Sequence, residues 1–376
     1  MINFGTYQID RILLVAVTFA IAVLASLLTA MVLVVTKKWH GRFSSDHAGS
    51  GPQKLHSGAV PRVGGIAIMV GFATALLVAK ITLPTGGQVN SPVWLILALF
   101  VPFVVGLGED VTQRFGPVSR LLATFAGASI AYFFCGASIV RFDVPIVDAL
   151  VALHPAIAFV FTLFCVGGIA HAFNLADGLN GLLAGLGLTA SIAVATVAYL
   201  VGDTFVLVSS IALAGAIGGF ALLNFPRAWL FAGDGGAYLV GSALAIFLML
   251  LCARQPVVSP WFSFVVVLYP FTDTAYSIYR RWRSGRPIMS PDAAHLHSLL
   301  AFRLKTRFGE RGRNLASILI VTVSAMFVGA AISVYSMTAV LAALATLYAF
   351  VYVATYRVVS ASIAANSFNP ASASAE

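Results

Sequence analysis

Residues 156–200 read AIAFVFTLFCVGGIAHAFNLADGLNGLLAGLGLTASIAVATVAYL, two long apolar runs on either side of the polar segment NLADGLNGL at residues 174–182. Each run is long enough to cross a lipid bilayer as a helix, which takes about 17–25 residues. The segment between them carries an aspartate, two asparagines and glycines at a place where the chain must turn. This stretch therefore predicts two membrane-spanning helices joined by a polar connection at the membrane surface.

The rest of the chain follows the same pattern. Of its 376 residues 60% are hydrophobic and only 9% are charged, which is far from the composition of a soluble globular domain. We expect an all-α polytopic integral membrane protein with about eleven transmembrane helices. The candidate spans lie near residues 11–35, 63–80, 92–108, 118–135, 155–172, 181–201, 204–223, 236–252, 260–279, 313–334 and 337–357. They form one transmembrane domain over residues 1–359, followed by a Ser- and Ala-rich tail, 360–376, that we expect to be disordered.

The positions of lysine and arginine predict the orientation in the membrane. Basic residues in short connections stay in the cytoplasm, and all but four of the 22 follow odd-numbered spans or lie in the C-terminal tail. The exceptions are Arg11, Lys80, Arg141 and Arg254. We therefore expect the N-terminus outside and the C-terminus in the cytoplasm. The net charge of +9 then faces anionic membrane lipids or an anionic substrate, and no nucleic-acid partner is expected.

Five polar connections fall on the predicted cytoplasmic side. They read KLHSGAVPRVGG (54–65), GLGED (106–110), HAFNLADGLN (171–180), NFPRAWLFAGDGG (224–236) and SPDAAHLHSLL (290–300). The connections on the other side are short or carry few such groups. Carboxylates, amides, imidazoles and guanidinium groups are thus concentrated at one membrane face, which predicts a functional site there.

The residue types in these connections indicate phosphate chemistry. Four carboxylates lie at helix ends near hydrocarbon, where an uncompensated charge is costly and a cation is the natural partner: Glu109, Asp110, Asp177 and Asp234. Oxygen ligands without a nearby cysteine favour Mg²⁺, or Mn²⁺, over zinc. In these connections or close to them in sequence lie basic residues suited to a phosphate or diphosphate: Lys54, Arg62, Arg120, Arg286, His295 and His297. Together they predict phosphoryl transfer to or from a lipid.

Each of these residues also has a purely structural explanation. An aspartate or asparagine beside glycine is commonly a helix cap or a turn residue, and Asp177 or Asp234 taken alone fits that role. The arginines and histidines of the connection after the ninth span could serve simply to contact anionic lipid headgroups. A secondary transporter for an anionic substrate is the alternative function, although transporters place their sites near the midplane and often contain repeated halves. We find no internal repeat, and the polar groups gather at one end of the predicted spans.

In order and spacing, these motifs resemble those of the polyprenyl-phosphate N-acetylhexosamine-1-phosphate transferases. That family includes the initiating transferases of enterobacterial common antigen, O-antigen and teichoic acid, and the muramoyl-pentapeptide translocase. The similar segments lie between residues 36 and 313 and read HSGAVPRVGGIAI, GLGEDVTQRFGPVSRLL, FNLADGLNGL, FAGDGGAYLVG, YPFTDTAYSIYRR and PDAAHLHSLL.

The resemblance implies a Mg²⁺-dependent enzyme of the bacterial inner membrane with its active site on the cytoplasmic face. It would transfer N-acetylhexosamine 1-phosphate from a UDP-sugar to undecaprenyl phosphate, releasing UMP and initiating a cell-envelope glycan. Asp234 and Asp110 would bind the metal, and Glu109 and Asp110 would act on the attacking phosphate. The remaining residues would bind substrate: Lys54, Arg62, Arg120, Asn174, Asp177, Asn180, Arg286, His295 and His297. The sequence leaves open which sugar is used and whether the chain forms a homodimer.

The sequence departs from the family pattern at three positions. Glu109 stands where an aspartate is usual, Asn180 replaces the second aspartate of the signature, and Ser298 follows His297 where another histidine is common. Asn180 retains an oxygen donor but not the negative charge. These changes predict a divergent branch of the family, with a member that has lost catalysis as the lesser alternative.

Overall fold

The structure is a computed structural model that describes residues 4–46, 60–82, 91–287, 292 and 294–367. Over these residues the regular secondary structure is helical apart from one short antiparallel pair, β1 (Ser45–Asp46) and β2 (Val60–Pro61). The helices are α1 (Phe4–Val35), α2 (Lys37–Ser44), α3 (Gly64–Thr82), α4 (Ser91–Thr112), α5 (Pro117–Ile130), α6 (Pro145–Ala152), α7 (Pro155–Ala176), α8 (Leu182–Val201), α9 (Thr204–Asn224), α10 (Gly233–Arg254), α11 (Pro260–Val266), α12 (Leu268–Arg283), α13 (Leu296–Phe308), α14 (Arg311–Ser333) and α15 (Thr338–Ser367).

Ten helical segments in the described part of the chain are long and apolar enough to cross a membrane. They are α1, α3, α4, α5 with the π-helical turn Ala131–Cys135 that continues it, α7, α8, α9, α10, α14 and α15. Each corresponds to one of the predicted spans. The expectation of an all-α polytopic membrane protein is therefore confirmed, whereas the orientation of the termini stays a prediction.

The predicted ninth span, residues 260–279, is not one continuous helix. It divides into α11 and α12 at Val267. Pro270 supplies the physical reason, because it has no N–H to donate to the carbonyl of Val266 and so interrupts the helical hydrogen-bond ladder there. The sequence analysis found the apolar run but took no account of this proline.

The two pieces α11 and α12 run beside α15 in the same direction. Ser259, which caps α11, hydrogen-bonds Thr338 at the start of α15 through their hydroxyls at 2.8 Å. Further along, the Tyr352 hydroxyl donates to Asp273 at 2.7 Å, and Arg280 at the far end contacts the Tyr356 hydroxyl. The α11–α12 segment and α15 start at the same end of the bundle and run parallel to each other. The broken segment therefore spans the same depth as the first part of α15.

Helix α10 occupies the centre of the bundle. It packs against α3, α4, α7, α8 and α9, and nearly all of its residues are buried. A helix that is apolar around its whole circumference is expected in such a position. By contrast α1, at the edge, exposes large apolar side chains such as Leu13, Leu24 and Leu28. The first turn of α10, which carries Asp234, is therefore surrounded by other helices.

Glycines allow three polar segments to meet in backbone contact at that first turn. A Cβ added to Gly106 of α4 would lie 2.7 Å from the backbone nitrogen of Gly235. One added to Gly65 of α3 would collide with the backbone of Gly236. Gly233 has φ +70°, which favours glycine. These close approaches hold the ends of α3 and α4 against the start of α10.

The C-terminal helix is longer than the sequence analysis predicted. Helix α15 continues to Ser367, so the prediction of disorder is wrong for residues 360–367. The alanines of SASIAANS have high helix propensity, and the first proline comes at Pro370. The remaining residues of the predicted tail, 368–376, lie outside the described residues.

Substitution of Gly106 tests the close packing of α4 against α10, and a second glycine controls for the effect of helix propensity. We expect Gly106→Ala to lower the free energy of unfolding by about 1–3 kcal/mol or more, because the new methyl group meets backbone atoms of α10. Gly168→Ala is the matched control, since nothing lies within 4 Å of a Cβ at that helical position, and it should cause no loss. Thermal unfolding of both variants in detergent, followed by size-exclusion chromatography, measures this. Equal stability of the two would contradict the packing described for α4 and α10.

Candidate active site

The carboxylate of Asp110, in the last turn of α4, caps the N-terminus of α10. Its Oδ1 accepts the backbone N–H of Asp234 and its Oδ2 accepts that of Gly235, each at 3.0 Å. Asp110 is buried, and the N–H groups of a first helical turn have no partner within their own helix. The partial positive charge of the helix end stabilises the carboxylate. This contact fixes the GLGED segment to the GDGG segment.

Two arginines complete a charged centre, which we define as Arg62, Asp110, Arg120 and Asp234. Arg62 Nε lies 3.6 Å from Asp110 Oδ1, and its Nη2 lies 3.4 Å from Asp234 Oδ1. Arg120 of α5 forms an ion pair with the other oxygen of Asp234. Asp234 therefore lies between two guanidinium groups. Three segments that are remote in the sequence supply these four residues.

The segment that carries Arg62 is held by backbone hydrogen bonds to the chain just before α10. The N–H of Phe231 donates to the carbonyl of Pro61 at 2.9 Å, and the N–H of Gly64 donates to the carbonyl of Phe231 at 2.8 Å. This short ladder sets the position of Arg62 relative to Asp234. The arginine is thus placed by the backbone, and not by the ion pair alone.

The connection between α7 and α8 is the NLADGLNGL turn, and Asn224 at the end of α9 holds it in place. Asn224 Oδ1 accepts the N–H of Gly181 at 2.7 Å, and its Nδ2 donates to the carbonyl of Leu230 at 2.9 Å. The turn carries Asp177, whose pKa is raised to about 7 by burial, with Asp234 adding to the increase and Arg62 opposing it. These two influences show that Asp177 lies near the charged centre.

Asp273 of α12 organises the segment that carries His295 and His297, which we call the histidine segment. Its Oδ2 contacts His295 Nδ1 at 2.6 Å, and its Oδ1 accepts the N–H of Leu296 at 3.0 Å and the hydroxyl of Tyr352 at 2.7 Å. Asp273 thus caps α13 in the way that Asp110 caps α10. It is fully buried, which agrees with the expectation that a charge at this depth is satisfied inside the protein.

The second histidine joins this segment to the NLADGLNGL turn. His297 Nδ1 lies 3.2 Å from the Tyr269 hydroxyl, and the ring covers Gly178 so closely that a Cβ there would collide with Nε2. Burial lowers the pKa of His297 to about 4, although the charge of Asp273 acts in the opposite direction. His297 is therefore neutral at neutral pH. Gly178 is required because a histidine ring occupies the space of its side chain.

The structure brings together most of the residues that the sequence analysis selected, but not all. Arg62, Asp110, Arg120 and Asp234 meet in the charged centre, Asp177 lies near it, and His295 and His297 lie on the far side of the turn. Arg286 is exposed beyond the end of α12, and its side chain makes no hydrogen bond or ion pair within the described ranges. Lys54 lies outside the described residues.

Three further predicted residues occupy intermediate positions. Glu109 Oε2 accepts the N–H of Phe115 at 2.7 Å and so holds the turn that follows α4. Asn174 lies in the last turn of α7, where its carbonyl accepts the N–H of Asp177. The side-chain oxygen of Asn180 is buried and accepts no hydrogen bond from the described part of the chain. An oxygen in that state is available to a ligand.

Among the described residues no three His, Cys, Asp or Glu side chains are grouped to hold a metal by themselves. Mg²⁺ in phosphoryl-transfer sites is commonly bound by one or two carboxylates, with substrate phosphates and water supplying the other oxygens. Asp234, Asp177 and the unpartnered oxygen of Asn180 are donors of that kind. The residues fit a magnesium site that is completed by substrate.

Four residues that structure the site were not predicted from the sequence: His171, Asn224, Tyr238 and Tyr352. His171 Nδ1 lies 3.3 Å from the Tyr238 hydroxyl, next to Arg120 and Asp234. Tyr238 could have been found, because it lies four residues after Asp234 and so on the same face of a helix. Tyr352 carries no such signal, since it lies in an apolar helix 55 residues from His297 with no motif around it.

Comparison with known proteins agrees with this geometry. Residues 92–252 match the profile of glycosyl transferase family 4. The chain is 29% identical to the probable undecaprenyl-phosphate N-acetylglucosaminyl 1-phosphate transferase of Bacillus subtilis, over 77% of this chain and 80% of the relative. It is 31% identical to the decaprenyl-phosphate N-acetylglucosaminephosphotransferase of Mycobacterium tuberculosis H37Rv, over 75% and 74%. For the undecaprenyl-phosphate alpha-N-acetylglucosaminyl 1-phosphate transferase of Escherichia coli K12 the identity is 26%, over 66% and 67%.

The raised pKa of Asp177 predicts how stability depends on pH. An unfolded aspartate titrates near pH 4, whereas Asp177 in the folded protein titrates near pH 7. Between these values the folded state binds more protons, so this residue's contribution to stability falls as the pH rises from 4 to 7. We expect Asp177→Asn to gain melting temperature relative to the wild type across this range and then to keep a constant advantage above pH 7. A melting-temperature difference that stays the same from pH 4 to pH 8 would contradict the burial of this carboxyl.

Proposed function

The chain belongs to glycosyl transferase family 4, and on that premise we propose that it transfers N-acetylhexosamine 1-phosphate from a UDP-sugar to a polyprenyl phosphate such as undecaprenyl phosphate. The products are a polyprenyl diphosphate sugar and UMP, and the reaction initiates a cell-envelope glycan. The observation that carries this proposal is the position of Asp234 between Arg62 and Arg120 at the start of a buried helix. A diphosphate matches the charge of two arginines.

The ion pairs of the charged centre suit an exchange of partners on substrate binding. The two guanidinium groups form ion pairs with Asp234. A phosphate accepts two parallel hydrogen bonds from arginine, as a carboxylate does, and a diphosphate carries more negative charge than one carboxylate, so it competes with Asp234 for both guanidinium groups. When the diphosphate takes Arg62 and Arg120, the carboxylate oxygens of Asp234 are released. Asp234, together with Asp177 and Asn180 of the NLADGLNGL turn, would then hold Mg²⁺, which would offset the negative charge of the phosphates.

The proposed reaction breaks one phosphoanhydride bond and forms another. An oxygen of the polyprenyl phosphate attacks the β-phosphorus of the UDP-sugar, and UMP leaves with the bridging oxygen and its electrons. A phosphate monoester is mostly doubly ionised at neutral pH, since its second pKa is near 6. The nucleophile therefore needs no base to remove a proton. Arg62 and Arg120 hold the charge that develops on the transferring and leaving phosphates.

This chemistry gives Asp110 a role different from that of a base. Both of its oxygens accept backbone N–H groups of α10, and in our proposal its task is to position Asp234. Glu109 likewise holds the turn after α4, which keeps Arg120 at the start of α5 within reach of Asp234. Glu109 and Asp110 would then affect the reaction indirectly, by positioning Arg120 and Asp234.

We place this site on the cytoplasmic face of the bacterial plasma membrane. The supporting observation is that the charged centre lies at the same end of the bundle as the basic connections of the chain, among them the arginines at the end of α12 and in α13. Arginine-rich connections remain on the cytoplasmic side. A UDP-sugar does not cross the bilayer unaided because of its charge, so in our proposal the site faces the compartment that contains the donor.

Measurement of UMP release tests the proposal. The purified protein is incubated with undecaprenyl phosphate, Mg²⁺ and one UDP-N-acetylhexosamine at a time, and UMP is quantified by chromatography. We expect one donor to be used, and chelation of Mg²⁺ to stop the reaction until the ion is restored. Asp234→Asn should lower kcat by about 10²-fold or more, as expected for loss of a group that organises charge in the transition state.

Asp148→Asn is the matched control. Asp148 accepts the N–H groups of Phe142 and Val144 in the connection before α6, away from the charged centre, so the variant should retain wild-type kcat and KM when it is folded. Folded wild-type protein that forms no UMP with any donor would overturn the proposal. If vesicles containing that protein instead take up the UDP-sugar, a transporter would be the better description.

A further inference from the structure

His171 of α7 and Tyr238 of α10 form a buried pair that the reaction proposed above does not use. His171 Nδ1 lies 3.3 Å from the Tyr238 hydroxyl, and the rings meet edge to face with centroids 4.9 Å apart. Tyr238 is 2% exposed. The second ring nitrogen of His171, Nε2, is also buried, and it makes no hydrogen bond to the described part of the chain. A buried polar atom in that state calls for an explanation.

The pair forms one wall of the charged centre. Tyr238 lies one helical turn after Asp234, and His171 lies one turn before Asn174. Arg120 and Asp234 are close enough to His171 to act on its charge. Arg120 carries a second buried atom on this wall, Nε, that lacks a partner among the described residues. Two unsatisfied nitrogens beside Asp234 indicate that a ligand with oxygen acceptors belongs between them.

The tyrosine determines which nitrogen of the imidazole carries the proton. A buried tyrosine hydroxyl needs an acceptor for its proton, and His171 Nδ1 is the acceptor within reach of Tyr238 in the described structure. If Nδ1 accepts this bond, the proton of the neutral ring is on Nε2. The unpartnered atom is therefore an N–H donor. Its natural partner is an anionic oxygen, in keeping with the two arginines nearby.

We propose that His171 is a substrate-binding residue whose Nε2–H donates to a phosphate oxygen, and that Tyr238 is the positioning residue that fixes its tautomer. This inference rests on the proposed function, because the phosphate belongs either to the diphosphate of the UDP-sugar or to the polyprenyl phosphate. The chemistry of recognition is the same in both cases. Kinetics with each substrate varied in turn distinguish them.

The test uses the full chain and three variants: His171→Phe, His171→Gln and Tyr238→Phe. We expect His171→Phe, which keeps a ring but has no donor, to lower kcat/KM about 10- to 100-fold, the range for loss of one hydrogen bond to a charged group. His171→Gln should recover most of the activity, because its side-chain amide places an N–H donor near the position of Nε2. Tyr238→Phe should show a smaller loss and leave the arginines in place.

Tyr348→Phe is the matched control for the tyrosine. Its hydroxyl is also buried and also meets one side chain, Ser324, at 3.4 Å, but it lies between α14 and α15. It should retain wild-type kcat/KM. Rescue by His171→Gln separates a donor role from packing, since glutamine does not restore the shape of the imidazole ring.

Binding of UDP-sugar alone, measured by calorimetry without acceptor, identifies the phosphate. Weaker binding by His171→Phe assigns the contact to the donor diphosphate. Unchanged binding with a raised KM for polyprenyl phosphate assigns it to the acceptor. The inference is overturned if the wild type forms UMP and His171→Phe does so equally well, or if His171→Gln is as impaired as His171→Phe. A wild-type protein that forms no UMP overturns the proposed function and this inference with it.

Discussion

The capping of α10 by Asp110 is the interaction on which the rest of the site depends. A carboxylate from α4 receives the N–H groups of Asp234 and Gly235 in the first turn of α10, a helix that is buried over nearly its whole length. Through this contact the buried charge is compensated by the helix end and by Arg62. Asp234 belongs to the same first turn, so its position between the two arginines follows from the cap. Tyr238, one turn later, is placed by the same constraint.

A second aspartate does the same for the histidine segment. Asp273 caps α13, contacts His295 and accepts the Tyr352 hydroxyl. Both aspartates lie in helices near hydrocarbon, where a free charge is costly, and both satisfy their charge by fixing the start of another helix. Gly178 joins the two halves, because the ring of His297 covers it. The polar groups are thus held in position before a substrate arrives, which is the arrangement that electrostatic catalysis requires.

The charges of the site balance one another in the absence of substrate. Two arginines face Asp110 and Asp234, while the neighbouring Asp177 has a pKa raised to about 7 by its burial. Removal of one member of such a set leaves the others uncompensated, which is strongly unfavourable in a buried site. In the proposed reaction an anionic substrate with Mg²⁺ would replace these ion pairs without a large change in net charge.

The sequence alone determined the membrane class, ten of the spans and the grouping of acidic and basic residues at one end, because length and hydropathy are local properties of the chain. It also pointed to Asp110, Asp177, Asp234, Arg62 and Arg120 through their residue types. Only the tertiary structure decided that Asp110 is a cap, that His171 meets Tyr238, and that Asp273 meets His295 and Tyr352. These contacts join residues far apart in sequence. They depend on which helix faces pack together, and hydropathy does not encode that choice.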